Sequence, residues 1–280
     1  MPLILPINDA EDPRIAEYRH VRERDLVGRQ GRFMAEGEVV LRLLATRLRC
    51  ATEEGRPART EAGHHLLSLL LSRAQAKRLE PVLEMLPEDL PVYVAGQVVL
   101  DAVVGFPIHR GILALGESGG LLPPEKLLGE LGPKALVVGV VGISNHDNMG
   151  GIFRNAAAFG ADAILLDSTS CDPLYRKAIR VSVGASLVVP FTRVDNAAHM
   201  VERMEQAGLE VVALSPAGRE RLADLERPRR VAALFGAEGP GLPRDVLART
   251  RTVAIPMAPR FDSLNVATTS GIVLHHLASS

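Results

Sequence analysis

Aliphatic runs that alternate with helical patterns fill the second half of the chain and constrain its fold more than any other feature. "KALVVGVVGIS" (134–144) is typical of a strand that is buried on both faces. Further strands are predicted at 161–167, 187–194, 209–216, 230–236 and 252–258, and helices at 173–186, 196–208 and 263–277. Strands that alternate with helices predict an α/β fold with a mainly parallel sheet covered by helices.

The first part of the chain is predicted to be a smaller α/β domain. Its pattern indicates helices at 36–48 and 66–86 and short strands at 91–95 and 111–117. The segment "ESGGLLPPEKLLGELGP" (117–133) has the glycine and proline content of a connector. We therefore predict a first domain at 1–117, a linker at 118–133 and a second domain at 134–280.

Composition limits the class of protein. The chain is 47% hydrophobic, which supports a real core, and no apolar run approaches the roughly 20 residues that span a bilayer. The start turns acidic too early for a secretory signal, and Cys50 and Cys171 lack CxxC spacing. We expect a cytoplasmic protein without a metal site. The net charge of −1 argues against broad electrostatic coating of nucleic acid but leaves room for a local basic patch.

Glycine and polar residues concentrate in three loops, each of which follows a predicted strand. These loops are "NHDNMGGIFRNAAAFG" (145–160), "LFGAEGPGLP" (234–243) and "IPMAPRFDSLNVATTSG" (255–271). In open parallel sheets, ligands bind outside the carboxyl ends of the strands. Backbone amides beside glycine can approach a ligand there, while Asn, Glu, Arg and Ser side chains fix it.

Each loop also has a purely structural interpretation. Gly150 and Gly151 form neither GxGxxG nor GxxxxGK[ST], so they indicate a helix-entry turn as readily as a nucleotide site. "GAEGPGLP" is typical of a surface turn, Asn265 is a common type of helix cap, and a lone Arg154 usually faces solvent. The occurrence of all three loops at strand ends favours one shared site.

The three loops resemble the motifs of the SpoU/TrmH branch of the SPOUT RNA methyltransferases. "NHDNMGGIFRNAAAFGADAILLD" resembles the first motif, in which Asn-x-Gly-x-x-x-Arg precedes a helix of small residues. "LFGAEGPGLP" resembles the second and "IPMAPRFDSLNVATTSGIVL" the third. "RKAIRVSVGASLVVPF" also resembles the family's intervening segment. The resemblance covers residues 134–280 with the motifs in the family's order.

This resemblance implies a SPOUT fold, in which the end of the chain forms a deep trefoil knot. It implies S-adenosylmethionine as the cofactor and a ribose 2′-hydroxyl of tRNA or rRNA as the methyl acceptor. It also implies a homodimer with a shared active site and no membrane or DNA partner. Two alternatives stay open: methylation of an RNA base by the same fold, and a non-catalytic RNA-binding or assembly factor.

The resemblance also assigns site residues. It places the cofactor beside Gly236, Ile255, Met257 and Leu264. It makes Arg154 the central catalytic residue, surrounded by Asn148, Glu238, Ser263 and Asn265. Because arginine keeps its proton up to a pH of about 12, we expect Arg154 to hold a phosphate or to stabilise a developing alkoxide rather than to act as a base.

Three features depart from the family pattern. Gly151 occupies a position where alanine is common, which we expect to be harmless. "ATTSG" (267–271) replaces a more usual run of small residues, so Thr268 and Thr269 can alter helix packing without removing a polar catalytic group. "APRFD" (258–262) lacks a frequent glycine, so its loop shape is open.

The first domain carries a second resemblance. "GRFMAEGEVVLRLL" (31–44) and "IHRGILALG" (108–116) are similar to the RNA substrate-binding domain that often precedes SpoU/TrmH catalytic domains. That domain is related to small ribosomal proteins that bind kinked RNA. Five arginines cluster near its start: Arg19, Arg22, Arg24, Arg29 and Arg32. A helix face whose charges pair with one another explains this cluster as readily as a contact with RNA does. We expect His109 and Arg110 to be structural.

Overall fold

The protein is described by a computed structural model that covers residues 2–19, 23–104, 111–260 and 263–279. It forms two compact units, Met1–Gly120 with Leu174–Val188, and Leu121–Pro173 with Val189–Ser280. The domain limits given above stay a prediction. Some residues named above lie outside the described part, either entirely or with their side chains: Arg22, Arg24, Arg29, His109, Arg110, Phe261 and Asp262.

The strands of the described residues are, in chain order, β1 (Leu3–Ile7), β2 (Arg32–Glu36), β3 (His65–Ser72), β4 (Pro91–Ala95), β5 (Ile112–Glu117), β6 (Ala135–Val141), β7 (Ala163–Asp167), β8 (Phe191–Val194), β9 (Glu210–Leu214), β10 (Glu220–Arg221), β11 (Arg230–Gly236) and β12 (Arg251–Ala254).

The α-helices are α1 (Glu23–Gln30), α2 (Glu38–Glu53), α3 (Arg73–Arg78), α4 (Glu80–Leu83), α5 (Gln97–Val104), α6 (Pro124–Gly129), α7 (His146–Ala158), α8 (Arg176–Val181), α9 (Ala197–Gln206), α10 (Arg244–Arg249) and α11 (Val266–Ser279). Short 3-10 helices lie at Pro13–Tyr18, Ala185–Leu187 and Leu222–Asp224. Within the described ranges, no helix is both long enough and apolar enough to cross a membrane.

The first unit contains a five-stranded mixed sheet in the order β1-β4-β3-β5-β2. The sequence pattern predicts a helix from residue 66, and this prediction is wrong for 66–72, which belong to β3. Leu69, Leu70 and Leu71 are fully buried there, in a strand that pairs on both edges. A strand buried on both faces is as continuously apolar as a buried helix, so periodicity could not separate the two. The helix begins only after Ser72, whose hydroxyl accepts from the amide of Gln75 at 3.2 Å.

The second unit contains a seven-stranded sheet in the order β10-β12-β9-β11-β6-β7-β8, and every pair in it is parallel. The predicted α/β fold with a parallel sheet is therefore confirmed, whereas the knot stays a prediction. The core lies between this sheet and its helices. Val137 and Leu165 are fully buried on the sheet, and they cluster with the fully buried Met200, Val201 and Met204 of α9.

Several predicted elements are shorter than their sequence patterns suggest. The strand predicted at 187–194 begins only at Phe191, since Pro190 has no amide hydrogen to donate to a ladder. The strand predicted at 252–258 ends at Ala254, ahead of Pro256. The helix predicted at 173–186 is limited to α8, because Val183 and Gly184 take left-handed φ angles of 51° and 89°. The short strands β1, β2 and β10 were not predicted.

Candidate active site

A cavity of about 470 Å³ lies at the carboxyl ends of β9, β11 and β12, which are neighbours in the sheet of the second unit. All four predicted cofactor residues and three of the predicted catalytic residues line it: Gly236, Ile255, Met257, Leu264, Glu238, Ser263 and Asn265. Two of the three polar loops therefore meet at one site. Asn148 and Arg154 of the first loop are not among the lining residues.

The cavity has apolar and polar parts. Leu214, Phe235 and Val253 contribute apolar surface, and Ser215 and Thr269 contribute hydroxyl groups. Sequence reasoning missed all five of these residues. Leu214 and Ser215 end a strand predicted at 209–216, so the rule that ligands bind at the ends of parallel strands could have found them.

The loop after β11 folds back tightly against the end of its own strand. A Cβ atom on Gly236 would lie 2.5 Å from both the carbonyl carbon of Gly241 and the amide nitrogen of Leu242. Gly239 and Gly241 take left-handed φ angles of 89° and 68°. The amide of Gly241 donates to the carbonyl of Ala237 at 3.0 Å and closes the turn. Glycine at 236 is therefore required, because the backbone of residues 241 and 242 occupies the space of a side chain.

Asn265 joins the three motifs. Its side-chain nitrogen donates to Oδ1 of Asn148 at 2.8 Å and to Oε1 of Glu238 at 3.1 Å. Its Oδ1 accepts from the amides of Ala267 and Thr268 at 2.9 and 3.1 Å and so caps α11. Asn148 is buried, whereas Glu238 and Asn265 are exposed at the cavity. The structure thus brings together Asn148, Glu238 and Asn265, as the sequence predicts.

Asn155 ties α7 to α11. Its side-chain nitrogen donates to the carbonyl of Ala267 at 2.7 Å and to the hydroxyl of Ser270 at 2.9 Å. Ser270 is fully buried, and a Cβ atom on Gly271 would lie 3.2 Å from Nδ2 of Asn155. These small residues of α11 are used for packing within the chain. The sequence shows Asn155 as a polar residue in the first motif, but nothing in it identifies the partner.

Arg154 stands apart from this network. It lies on the exposed side of α7, and its guanidinium group makes no hydrogen bond or ion pair with any other residue that the structure describes. Ser263 is also exposed, but it lines the cavity. Within one copy of the chain, the structure therefore assembles the predicted catalytic set without its arginine.

The loop that leads into α7 is held in place by a buried carboxylate. Asp167, at the end of β7, accepts from the amides of Gly142 and Ser170 at 3.0 Å and from the hydroxyls of Ser170 and Thr169. The Ser170 hydroxyl in turn accepts from the amide of Ile143 at 3.1 Å. Burial raises the pKa of Asp167, but these hydrogen bonds outweigh it and hold the pKa below its usual range. The carboxylate therefore stays ionised and fixes the loop that leads into the first motif.

The parallel sheet and the glycine-lined cavity at its strand ends define an α/β protein with a small-molecule site. Residues 135–275 match the SpoU rRNA Methylase family. The chain is also 32% identical to an uncharacterised tRNA/rRNA methyltransferase of Mycobacterium tuberculosis, over 97% of this chain and 91% of that protein. The chain belongs to the SpoU rRNA methylase family.

Solved structures show the same fold along nearly the whole chain. An AdoMet-bound rRNA methyltransferase from Sinorhizobium meliloti aligns with a TM-score of 0.77 and 22% identity, over 99% of this chain and 98% of that one. An RNA 2′-O ribose methyltransferase aligns with a TM-score of 0.72 and 24% identity, over 98% of both chains. These alignments agree with the α/β fold and parallel sheet predicted from the alternation of strands and helices.

Proposed function

We propose that this protein transfers a methyl group from S-adenosylmethionine to a ribose 2′-hydroxyl of tRNA or rRNA. The observation that carries the proposal is the junction of Asn148, Glu238 and Asn265 beside the cavity. These residues come from the three motifs of the SpoU resemblance, and the chain belongs to that family. The named activities of the relative and the structural neighbours agree with the proposal.

The residues of the cavity fit the cofactor. Its volume of about 470 Å³ lies within the range of small-molecule sites, which is roughly 300–1,000 Å³. Ile255, Leu264 and Met257 offer apolar contacts for an adenine ring. Gly236 also lines the cavity, where its backbone groups can meet the polar edge of the ring. When bound, S-adenosylmethionine supplies an electrophilic methyl group on a positively charged sulfonium.

The chain's own residues would position the acceptor. Glu238 and Ser263 face the cavity and can hydrogen-bond a ribose, while Asn148 supports Asn265 from the buried side. Methyl transfer needs the 2′-oxygen in line with the sulfur–methyl bond, so positioning supplies much of the rate. The hydroxyl also becomes negative as it loses its proton, and Arg154 would stabilise that charge or hold the neighbouring phosphate.

Arg154 would act at the site of a second copy of the chain. It is exposed, lacks a partner among the described residues, and does not line its own chain's cavity. A twofold dimer would bring each Arg154 to the partner's cavity and would produce a shared active site. Since α7 uses the small residues of α11 within the chain, the exposed Ile272 of α11 is the candidate contact with the partner.

The RNA substrate would also contact the first unit, although two of its arginines are already paired. Arg19 pairs with Glu11, and Arg32 pairs with Glu17 at 2.6 Å. These pairs favour the self-paired interpretation of the arginine cluster over a direct RNA grip. Recognition of RNA by shape and exposed bases does not require these arginines.

The test is methyl transfer from labelled S-adenosylmethionine to total RNA of a strain that lacks the protein. Methylation that makes one phosphodiester bond resistant to alkali identifies a ribose 2′-O product and supports the proposal. Label that is recovered in a modified base instead supports base methylation. RNA binding without transfer, together with cofactor binding, supports an assembly factor.

Mixed dimers test the shared site. Arg154→Ala and Glu238→Gln should each transfer methyl groups much more slowly than the wild type, because every site in either homodimer lacks one group. After the two variants are unfolded and refolded together, one site in each mixed dimer should contain both groups. Recovery of activity supports the shared site, whereas its absence in dimers shown to be mixed contradicts it.

A further inference from the structure

The side chain of Asn265 has no hydrogen-bonding capacity left for a substrate. A carboxamide has two N–H donors and an oxygen that accepts two hydrogen bonds. Both donors are engaged by Asn148 and Glu238, at 2.8 and 3.1 Å. Both acceptor positions are engaged by the backbone of Ala267 and Thr268. The second carboxylate oxygen of Glu238 has no such partner among the described residues.

We propose that Asn265 is a positioning residue, which orients Glu238 toward the acceptor and does not itself contact it. Its oxygen is fixed by the first turn of α11, so the direction of its two N–H groups is fixed as well. One group holds the Glu238 carboxylate, and the other is anchored on the buried Asn148. The inference rests on the proposed function, because it concerns the methyl acceptor. One of its tests, hydrogen exchange, does not require that activity.

Asn265→Asp separates the two roles of this side chain. Aspartate caps a helix as well as asparagine does, so the bonds from Ala267 and Thr268 persist. It cannot donate at neutral pH, however, and it places a second carboxylate beside Glu238. Asn196→Asp is the matched control, because Asn196 caps α9 by accepting from the amide of His199 at 3.0 Å, away from the cavity. Asn265→Ala removes both roles.

Asn265→Asp should lower the methyl-transfer rate at neutral pH on the order of 10- to 100-fold, as expected for lost hydrogen bonds to a charged group. The affinity for S-adenosylhomocysteine should change much less. Asn196→Asp should match the wild type in both measurements.

The pH profile gives a further readout. Glu238 is the titratable group among the described residues that line the cavity, and His146 and Asp147 precede Asn148 on α7. In acid, the two carboxylates at 238 and 265 can share one proton, because adjacent like charges disfavour double ionisation, and that proton restores one hydrogen bond between them. The rate of Asn265→Asp should then rise relative to the wild type, whereas that of Asn265→Ala should not.

Hydrogen exchange tests the inference without activity. In Asn265→Asp, the amides of 236–242 should exchange faster than in the wild type, while those of Ala267 and Thr268 stay protected. In Asn265→Ala, both groups of amides should lose protection. If the wild type never methylates RNA, the proposed function fails, and this measurement still decides the role of Asn265.

Two results would overturn the inference. Asn265→Asp with wild-type turnover and unchanged exchange at 236–242 would make Asn265 a helix cap only. Equal losses in turnover and in affinity for S-adenosylhomocysteine would instead assign Asn265 to cofactor binding.

Discussion

Gly151 of α7 and Ala267 of α11 face each other where the two helices pack. A Cβ atom on Gly151 would lie 2.6 Å from the Cβ atom of Ala267, closer than two such atoms can approach. The helix that carries the first motif and the helix that carries the end of the third are therefore in contact through a residue without a side chain. Ala267 lies two residues after Asn265, so this contact also sets the position of the site.

Gly151→Ala should destabilise the protein. Alanine normally stabilises a helix relative to glycine by up to about 1 kcal/mol, but overpacking against Ala267 costs about 1–3 kcal/mol. We expect a net loss of about 1 kcal/mol in the free energy of unfolding, measured by urea denaturation. Gly129→Ala in α6 is the control, because a Cβ atom there meets nothing within 4 Å. Equal free energies of unfolding for Gly151→Ala and Gly129→Ala would show that α11 moves to accommodate the added methyl group without loss of stability.

Arg154→Ala should lower turnover much more than cofactor affinity. If Arg154 stabilises charge that develops only during transfer, its loss should cost on the order of 100-fold or more in rate. Arg154→Lys should recover little, because an ammonium group lacks the planar fork of guanidinium. Single-turnover transfer and calorimetry with S-adenosylhomocysteine measure the two quantities.

The control for Arg154 is Arg229→Ala. Arg229 is also exposed, but it directly precedes β11. It therefore lies at the amino end of that strand, whereas the cavity lies at the carboxyl end. It should retain wild-type turnover. A wild-type rate in Arg154→Ala would remove Arg154 from the mechanism.

Arg260→Gly should stabilise the third motif loop. Arg260 takes a left-handed φ of 75°, at the stretch where the family pattern has a glycine and this chain does not. Relief of a left-handed backbone is worth about 1–2 kcal/mol, against about 0.5–1 kcal/mol for the added chain entropy of glycine. Ala258→Gly is the control in the same exposed loop. Ala258 does not have a left-handed φ, so this substitution should only lower the free energy of unfolding. A loss of equal size in both variants, measured by urea denaturation, would contradict this.

Stability should fall in mild acid because of His64. Burial chiefly, with the charges of His65 and Arg59, lowers the pKa of His64 from 6.5 to about 4. Between these two values the unfolded chain binds more protons, so stability is fully present above about pH 6.5 and is lost as the pH falls toward 4. The loss from this group would be up to about 3 kcal/mol.

The measurement is the free energy of unfolding from pH 4 to pH 7. His64→Leu should flatten the curve in that range, even if it lowers stability overall. An NMR titration of His64 in the wild type that gives an ordinary pKa would refute the prediction.

The order of strands and loops was readable from local composition. A strand buried on both faces needs a continuous aliphatic run, and "KALVVGVVGIS" is such a run in β6. The polar loops at strand ends likewise predicted a ligand site, since parallel strands present their carboxyl ends together. The family resemblance was needed to assign Gly236, Glu238 and Asn265 to it, and these residues line one cavity. The same local reasoning failed at β3, where only pairing with β4 and β5 decides between strand and helix.

The sequence by itself determined which chemical groups the site contains, because residue identity fixes a carboxylate, a carboxamide or a bare backbone. Only the tertiary structure decided which of them touch. Asn148 and Asn265 are 117 positions apart, and their 2.8 Å hydrogen bond exists because packing places α7 beside the start of α11. The periodicity of apolar residues indicates which face of a segment is buried, but it does not identify the element that packs on that face. A hydrogen bond, in contrast, forms or is lost with changes of a few tenths of an ångström in distance. For that reason the sequence predicted Asn265 at the site, and the structure alone showed that its hydrogen bonds are already used.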